Sequence, residues 1–187
     1  MATKTLDDRR RALEDSFFER ENEKLLSALR AKSEREIQRR ALAEVAKLQD
    51  EDLLDHLIEV GIRAETWLAI WLVPLVEVAW ADREMAEEER EALLNAAAEH
   101  GIEADSDARR LLEVWLARRP GPKLREAWTE YIGIVRGNLN DAARETLREQ
   151  TLEQSRAVAR AAGGFLGIGP HVSEAEERVL EELERAF

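Results

Sequence analysis

The fold is decided by residues 65–81, which read ETWLAIWLVPLVEVAWA. Apolar side chains cover nearly every face of a helix built from this stretch, a pattern typical of a helix surrounded by others in a core. Glu77 interrupts the apolar run, which also falls short of the ~20 residues needed to span a bilayer. Pro74 should remove one backbone hydrogen bond and bend the helix. The stretch therefore predicts a kinked central core helix.

The rest of the chain predicts further helices. Acidic or hydroxyl residues mark helix starts, and glycine or proline residues mark helix ends, around runs of apolar residues at helical spacing. The predicted helices span residues 50–60, 86–100, 106–118, 123–137, 140–162 and 173–187. We therefore expect an all-α protein built as a multi-helix bundle.

The first 60 residues contain neither glycine nor proline. Apolar residues recur there at roughly helical spacing among charged residues, which predicts a long amphipathic helical arm. Ser33 begins a segment of capping-box form, so one continuous helix and two helices with a bend near Ser33 both remain open. A strict seven-residue repeat is not kept, which argues against a dedicated two-stranded coiled coil. We predict an N-terminal arm, residues 1–60, and a helical core domain, residues 61–187.

The charge of the chain is uneven. The net charge is -12, with +1 on residues 1–50 and -13 on residues 51–187. An acidic body suits cations or basic partners and repels phosphate, so nucleic acid is not an expected partner. The absence of cysteine excludes disulfides and cysteine zinc sites. The charged N-terminal residues lack the apolar run of a secretory signal, which indicates a cytoplasmic protein without membrane insertion.

One segment resembles a known family. Residues 73–90 read VPLVEVAWADREMAEEER, and they resemble the helix, acidic turn and helix of the TerB-like family, which is associated with tellurite resistance. The family's pattern is an Ala-Asp-Gly turn followed several residues later by Glu. Ala81, Asp82 and Glu89 match this pattern, and Arg83 stands where the family usually has Gly.

The resemblance extends over roughly residues 65–187 and leaves the arm unmatched. It implies a compact, noncatalytic helical scaffold, connected with stress responses, that binds a divalent cation weakly. Asp82 and Glu89 are the positions that inherit the cation-binding role, and Glu84 is a local addition. Their oxygens suit calcium or magnesium, although the spacing is not that of an EF-hand. Alternatively, these carboxylates cap the next helix and complement its dipole.

A second acidic helix start echoes the first. Residues 169–176 align with residues 82–89, with an apolar residue, a small residue and a glutamate at equal offsets. The echo indicates either an internal duplication or two helix starts that obey the same capping rules.

Other polar residues are also candidates for a functional role. Glu77 lies among apolar residues, where a lone ionised carboxylate is costly to bury. It is a candidate metal ligand or proton carrier, or else the partner of an arginine across the core. His56, His100 and His171 lack a short ligand spacing, which argues against a zinc site. No nucleophile elbow or catalytic triad is present, so we expect no enzyme; catalysis would need a buried carboxylate pair.

Two functional hypotheses follow. The first is the noncatalytic scaffold with a weak calcium or magnesium site at the acidic turn. The second is a protein-interaction module, in which the arm between residues 8 and 48 presents its Leu/Phe stripe to a protein partner or to a copy of itself. Both functions can coexist in one chain.

Overall fold

The structure is a computed structural model that describes residues 2–163 and 172–187, with side chains described for residues 17–161 and 172–187. All regular secondary structure in these ranges is helical, which confirms the predicted all-α class. The α-helices of the described ranges are α1 (Ala2–Ala46), α2 (Glu51–Glu59), α3 (Val73–Ala79), α4 (Glu87–Glu99), α5 (Asp107–Ala117), α6 (Pro122–Gly137), α7 (Asp141–Gly163) and α8 (Glu174–Arg185). A 3-10 segment, Trp67–Leu72, precedes α3.

The ends of the helices follow the residues that predicted them. Asp50 caps α2, because its side chain accepts a hydrogen bond from the Leu53 N–H at 3.0 Å. Gly61 and Gly101 follow α2 and α4 with φ angles of 90° and 76°. These are left-handed conformations, which glycine adopts without a steric penalty at the end of a helix.

The central stretch differs from the single kinked helix predicted for residues 65–81. The chain first forms the 3-10 segment and then α3, with Pro74 in the first turn of α3. Proline is well suited to that position, because the first N–H groups of a helix have no intrahelical partner and φ is already set. The prediction that Pro74 bends a continuous helix is therefore wrong: Pro74 starts a helix.

The core is built around α3, whose seven residues are all buried. α3 packs against α4, α6, α7 and α8, and α7 in turn packs against α4 and α8. Trp128, on α6, is among the largest fully buried side chains. This arrangement brings the N-terminal ends of separate helices onto one core, where acidic capping residues become partly buried.

The chain divides into two compact units, Met1–Arg40 and Ala41–Phe187. The first lies within α1, which continues through Ser33 without a break, so the continuous alternative is the one observed. The second unit contains the other helices. It also includes residues 41–60, which the sequence predicts to be part of the arm. No helix in the described ranges is both long and apolar enough to cross a bilayer.

Candidate functional site

The acidic turn between α3 and α4 has a backbone conformation that favours glycine, although a different residue occupies the position. Asp82 accepts a hydrogen bond from the Glu84 N–H at 3.0 Å through its Oδ1. Arg83, between them, has a φ angle of 75°, in the left-handed region. A residue with a Cβ atom adopts this conformation at a cost of roughly 1 to 2 kcal/mol. The turn is therefore formed with arginine at the position where glycine would be unstrained.

This strain leads to a test by substitution. Arg83→Gly should raise the free energy of unfolding by roughly 0.5 to 1 kcal/mol, because relief of the strain exceeds the greater chain entropy of glycine in the unfolded state. Urea unfolding followed by tryptophan fluorescence measures the change. Glu84→Gly is the matched control, and it should destabilise the protein. Equal destabilisation by both substitutions would show that the turn holds no such strain.

Two glutamates occupy equivalent positions at the starts of α4 and α8. The Ala86 N–H donates to Glu89 Oε2 at 2.9 Å, and the Ser173 N–H donates to Glu176 Oε2 at 2.5 Å. Ala86 and Ser173 have nearly the same backbone conformation, with φ and ψ of -71° and 150° against -70° and 159°. Both glutamates are therefore the third helical residue of a capping arrangement, at the positions that the sequence echo had aligned.

The same two glutamates meet in the interior. Glu89 is 5% exposed and Glu176 is 7% exposed. The pKa of Glu89 is raised to about 7, mainly by burial; the Ala86 N–H lowers it, and the negative charges of Glu176 and Asp82 and a hydrogen bond with Glu176 contribute to the rise. A carboxyl group that titrates near neutral pH beside another carboxylate is an unusual electrostatic arrangement. We call Glu89 and Glu176 the carboxylate pair.

The structure places Asp82 and Glu84, two of the predicted site residues, in different surroundings. Asp82 lies close enough to Glu89 for its charge to act on that group, whereas Glu84 has an exposed side chain and joins the turn through its backbone. Within the described ranges, no three His, Asp or Glu side chains are arranged to hold a metal ion. His171 and the preceding residues 164–170 lie outside the described residues. Sequence reasoning missed Glu176 as a site residue, although the echo pointed to it.

Glu77 is held by an arginine. Arg125 on α6 donates to Glu77 Oε2 from Nε at 2.8 Å and from Nη2 at 2.6 Å, and its Nη1 donates to Glu182 on α8. One guanidinium thus joins α3, α6 and α8. The prediction that an arginine pairs with Glu77 is confirmed, and this ion pair gives Glu77 a structural role.

The described histidines form separate contacts. His56 Nδ1 lies 2.8 Å from Glu130 Oε2, and this hydrogen bond raises the pKa of His56. His100 Nε2 lies 3.0 Å from Gln154 Oε1. Each ring is thus engaged by a different side chain, and neither contact includes the carboxylate pair.

The carboxylate pair can hold either a proton or a cation. Two adjacent buried carboxylates repel one another when both are ionised, so a proton shared between them or a bound cation lowers their energy. Each glutamate uses Oε2 for its cap, which leaves Oε1 as a further acceptor. Comparison of the chain with family models, curated proteins and solved structures gave no match. Function is therefore argued from the site itself.

Proposed function

We propose that the protein is a noncatalytic helical scaffold that binds a divalent cation, magnesium or calcium, weakly at the carboxylate pair. The observation that supports this proposal is the meeting of two buried glutamates from the starts of different helices. Asp82 adds a third negative charge close by. The resemblance of residues 73–90 to the TerB-like acidic turn favours the same function.

The chemistry of the pair suits a hard cation held partly by water. Magnesium is commonly bound through one or two carboxylates while it keeps several of its waters. A cation would replace the proton on Glu89 and offset the repulsion between Glu89 and Glu176. Because the carboxylates are few and must lose their proton first, the affinity should be weak and should increase with pH.

Thermal unfolding tests the proposal. At about pH 8, magnesium or calcium at ten times its dissociation constant should stabilise the native state by about 1.4 kcal/mol. For a chain of this length, that corresponds to a rise in the melting temperature of roughly 3 to 6 °C. The double variant Glu89→Gln/Glu176→Gln should lose this response, and Asp82→Asn should weaken it.

The matched control changes the charge of the same helix turn without touching the pair. Glu87 and Glu88 are exposed in the first turn of α4. Glu87→Gln/Glu88→Gln should therefore respond to cations as the wild type does. A wild type that does not respond to magnesium, calcium or manganese would rule out the proposal, as would an undiminished response in the Glu89/Glu176 variant.

A second function is favoured by the surface of α1. Phe17, Phe18, Leu25 and Leu29 expose 54% to 68% of their surface. Clustered exposed apolar side chains of this size are typical of surfaces that bind another protein. We therefore also propose that the arm is an interaction module.

Native mass spectrometry of the full chain tests the second function. Leu25→Glu/Leu29→Glu should abolish an association that the wild type shows, because it places charges on the apolar surface. Ala28→Glu/Ala31→Glu makes the same charge change at exposed positions that carry no large apolar side chain, and it should leave the association intact. Equal behaviour of the wild type and the leucine variant would contradict a role of the arm in binding.

A further inference from the structure

We propose that the arm pairs with the arm of a second copy of this chain in antiparallel orientation, with the two-fold axis between Leu25 and Leu26. This inference rests on the second proposed function, and it specifies both the partner and the geometry. Three features of the described part of α1 support it: the spacing of the exposed apolar residues, the sizes of the residues that would face each other, and the order of the charges.

The spacing gives a seam with an eleven-residue repeat. Phe18, Leu25 and Leu29 are separated by seven and four residues, and so are on the same side of α1. Leu26 and Ile37 repeat the eleven-residue interval. An eleven-residue repeat corresponds to about 3.67 residues per turn, so two such helices wind around each other with a slight right-handed twist.

The two-fold axis of the proposed pair passes through the midpoint between Leu25 and Leu26. An antiparallel pair with its axis there places each residue opposite the one equally far on the other side of the midpoint. The resulting layers are Phe18 with Ser33, Asn22 with Leu29, and Leu25 with Leu26. The largest side chain faces a small one, and a leucine faces a short polar residue, so the two faces are complementary in size.

The order of the charges selects the antiparallel orientation. Residues 14–23 carry a net charge of -4, and residues 28–37, which lie opposite them about the proposed axis, carry a net charge of +1. Antiparallel pairing about the proposed axis lays the acidic part of each arm along the basic part of the other. A parallel pair in register would place acid against acid and base against base, which is unfavourable.

The residues that flank the seam show the same complementarity. Glu19 and Arg30 lie on one flank, and Glu21 and Lys32 lie on the other. In an antiparallel pair, helices meet along the same flank, so the basic residue nearest Glu19 is Arg30 of the second copy and the one nearest Glu21 is Lys32 of the second copy, each offset along the axis by two residues, or roughly 3 Å. In this structure Glu21 contacts Lys24 of its own helix at 3.0 Å. Both side chains are exposed, so this contact is weak and is easily exchanged.

Reversal of the flanking charges tests the orientation. Sedimentation equilibrium of the full chain should show that Glu19→Lys/Glu21→Lys weakens the dimer by roughly tenfold. Each ion pair occurs twice in a two-fold symmetric dimer, so the substitutions remove both copies of it. Arg30→Glu/Lys32→Glu should weaken the dimer similarly. The variant with all four changes restores opposite charges across the antiparallel interface and should return to wild-type affinity. In a parallel dimer like charges would face each other in every one of these proteins, so unchanged affinity in the two double variants would overturn the proposal.

Disulfide trapping tests the register directly, since the chain has no cysteine. In the proposed pair, Asn22 of one copy faces Leu29 of the other, whereas the two Asn22 residues lie roughly 10 Å apart along the axis. An oxidised mixture of Asn22→Cys and Leu29→Cys chains should therefore form the mixed disulfide, and neither chain alone should crosslink. Ser27→Cys, on the opposite side of α1, is the matched control and should stay unlinked.

The outcomes of these experiments distinguish antiparallel self-association of the arm from the second proposed function, on which it rests. Crosslinking of Asn22→Cys with itself would show a parallel pair and overturn the inference. A wild-type chain that stays monomeric up to roughly 100 μM would also overturn it, and would leave binding of a different protein to the arm as the second function. A dimer that persists in Leu25→Glu/Leu29→Glu would overturn both.

Discussion

Arg125→Met should lower the free energy of unfolding by about 3 to 5 kcal/mol. The side chain of Glu77 is only 9% exposed, and its Oε2 accepts two hydrogen bonds from Arg125. Removal of the guanidinium leaves an ionised carboxylate in the interior without its ion-pair and hydrogen-bond partner, which costs far more than the loss of an ion pair in water. Urea unfolding at neutral pH, followed by circular dichroism, measures the difference.

Arg148 provides a matched control for this substitution. Its side chain is as exposed as that of Arg125, 30% against 32%, and it also contacts two carboxylates. The partners of Arg148 are Glu145 and Glu184, which are both about half exposed. Arg148→Met should therefore cost less than about 1 kcal/mol. Equal effects of the two substitutions would show that the burial of Glu77 does not determine the energy.

A second substitution tests whether the uncompensated charge causes this loss of stability. If the cost of Arg125→Met comes from an uncompensated charge, removal of that charge should recover most of the stability. Arg125→Met/Glu77→Met should therefore be more stable than Arg125→Met alone, because an apolar pair of similar volume replaces a buried ion pair at little cost. Further destabilisation by the second change would contradict this explanation.

The fold was predictable from the sequence where local chemistry determines structure. Capping residues and glycines set the ends of the helices within one or two residues, as for Asp50 and Gly61 around α2. The 3-10 segment before α3 was not predictable, because apolar side chains around a whole helix carry no period that separates the two helix types. There Pro74 was compatible both with a kink and with a helix start, and only packing decided between them.

The candidate site was predictable only in part. The capping positions of Glu89 and Glu176 follow from local sequence, and each alone would be an ordinary helix start. Their burial and their contact depend on how α4 and α8 pack onto shared neighbours, above all α7. The similarity between residues 82–89 and residues 169–176 aligns the two helix starts, but it does not predict how far apart they lie in space. Contact between residues so far apart in sequence is a property of tertiary packing.

Glu89→Gln should change how stability depends on pH. The pKa of Glu89 is about 7 in the folded protein, above its ordinary value of 4.5. The folded state therefore binds the proton more tightly than the unfolded state, and the stability linked to that proton is present below about pH 4.5 and is lost as the pH rises through 7. The loss by about pH 8 should be roughly 2 to 3 kcal/mol.

Glutamine at position 89 keeps the cap, because its side-chain oxygen still accepts a hydrogen bond from the Ala86 N–H. Unlike glutamate, it cannot ionise. Glu89→Gln should therefore resemble the wild type near pH 5 and exceed its stability by roughly 2 kcal/mol near pH 8, in urea unfolding with a chelator present. Glu88→Gln, exposed in the same turn, should follow the wild type. Parallel curves for Glu89→Gln and the wild type would show that Glu89 does not take up a proton near neutral pH. Since magnesium or calcium competes for the same oxygens, adding either one near pH 8 should restore part of the wild-type stability and leave Glu89→Gln less affected.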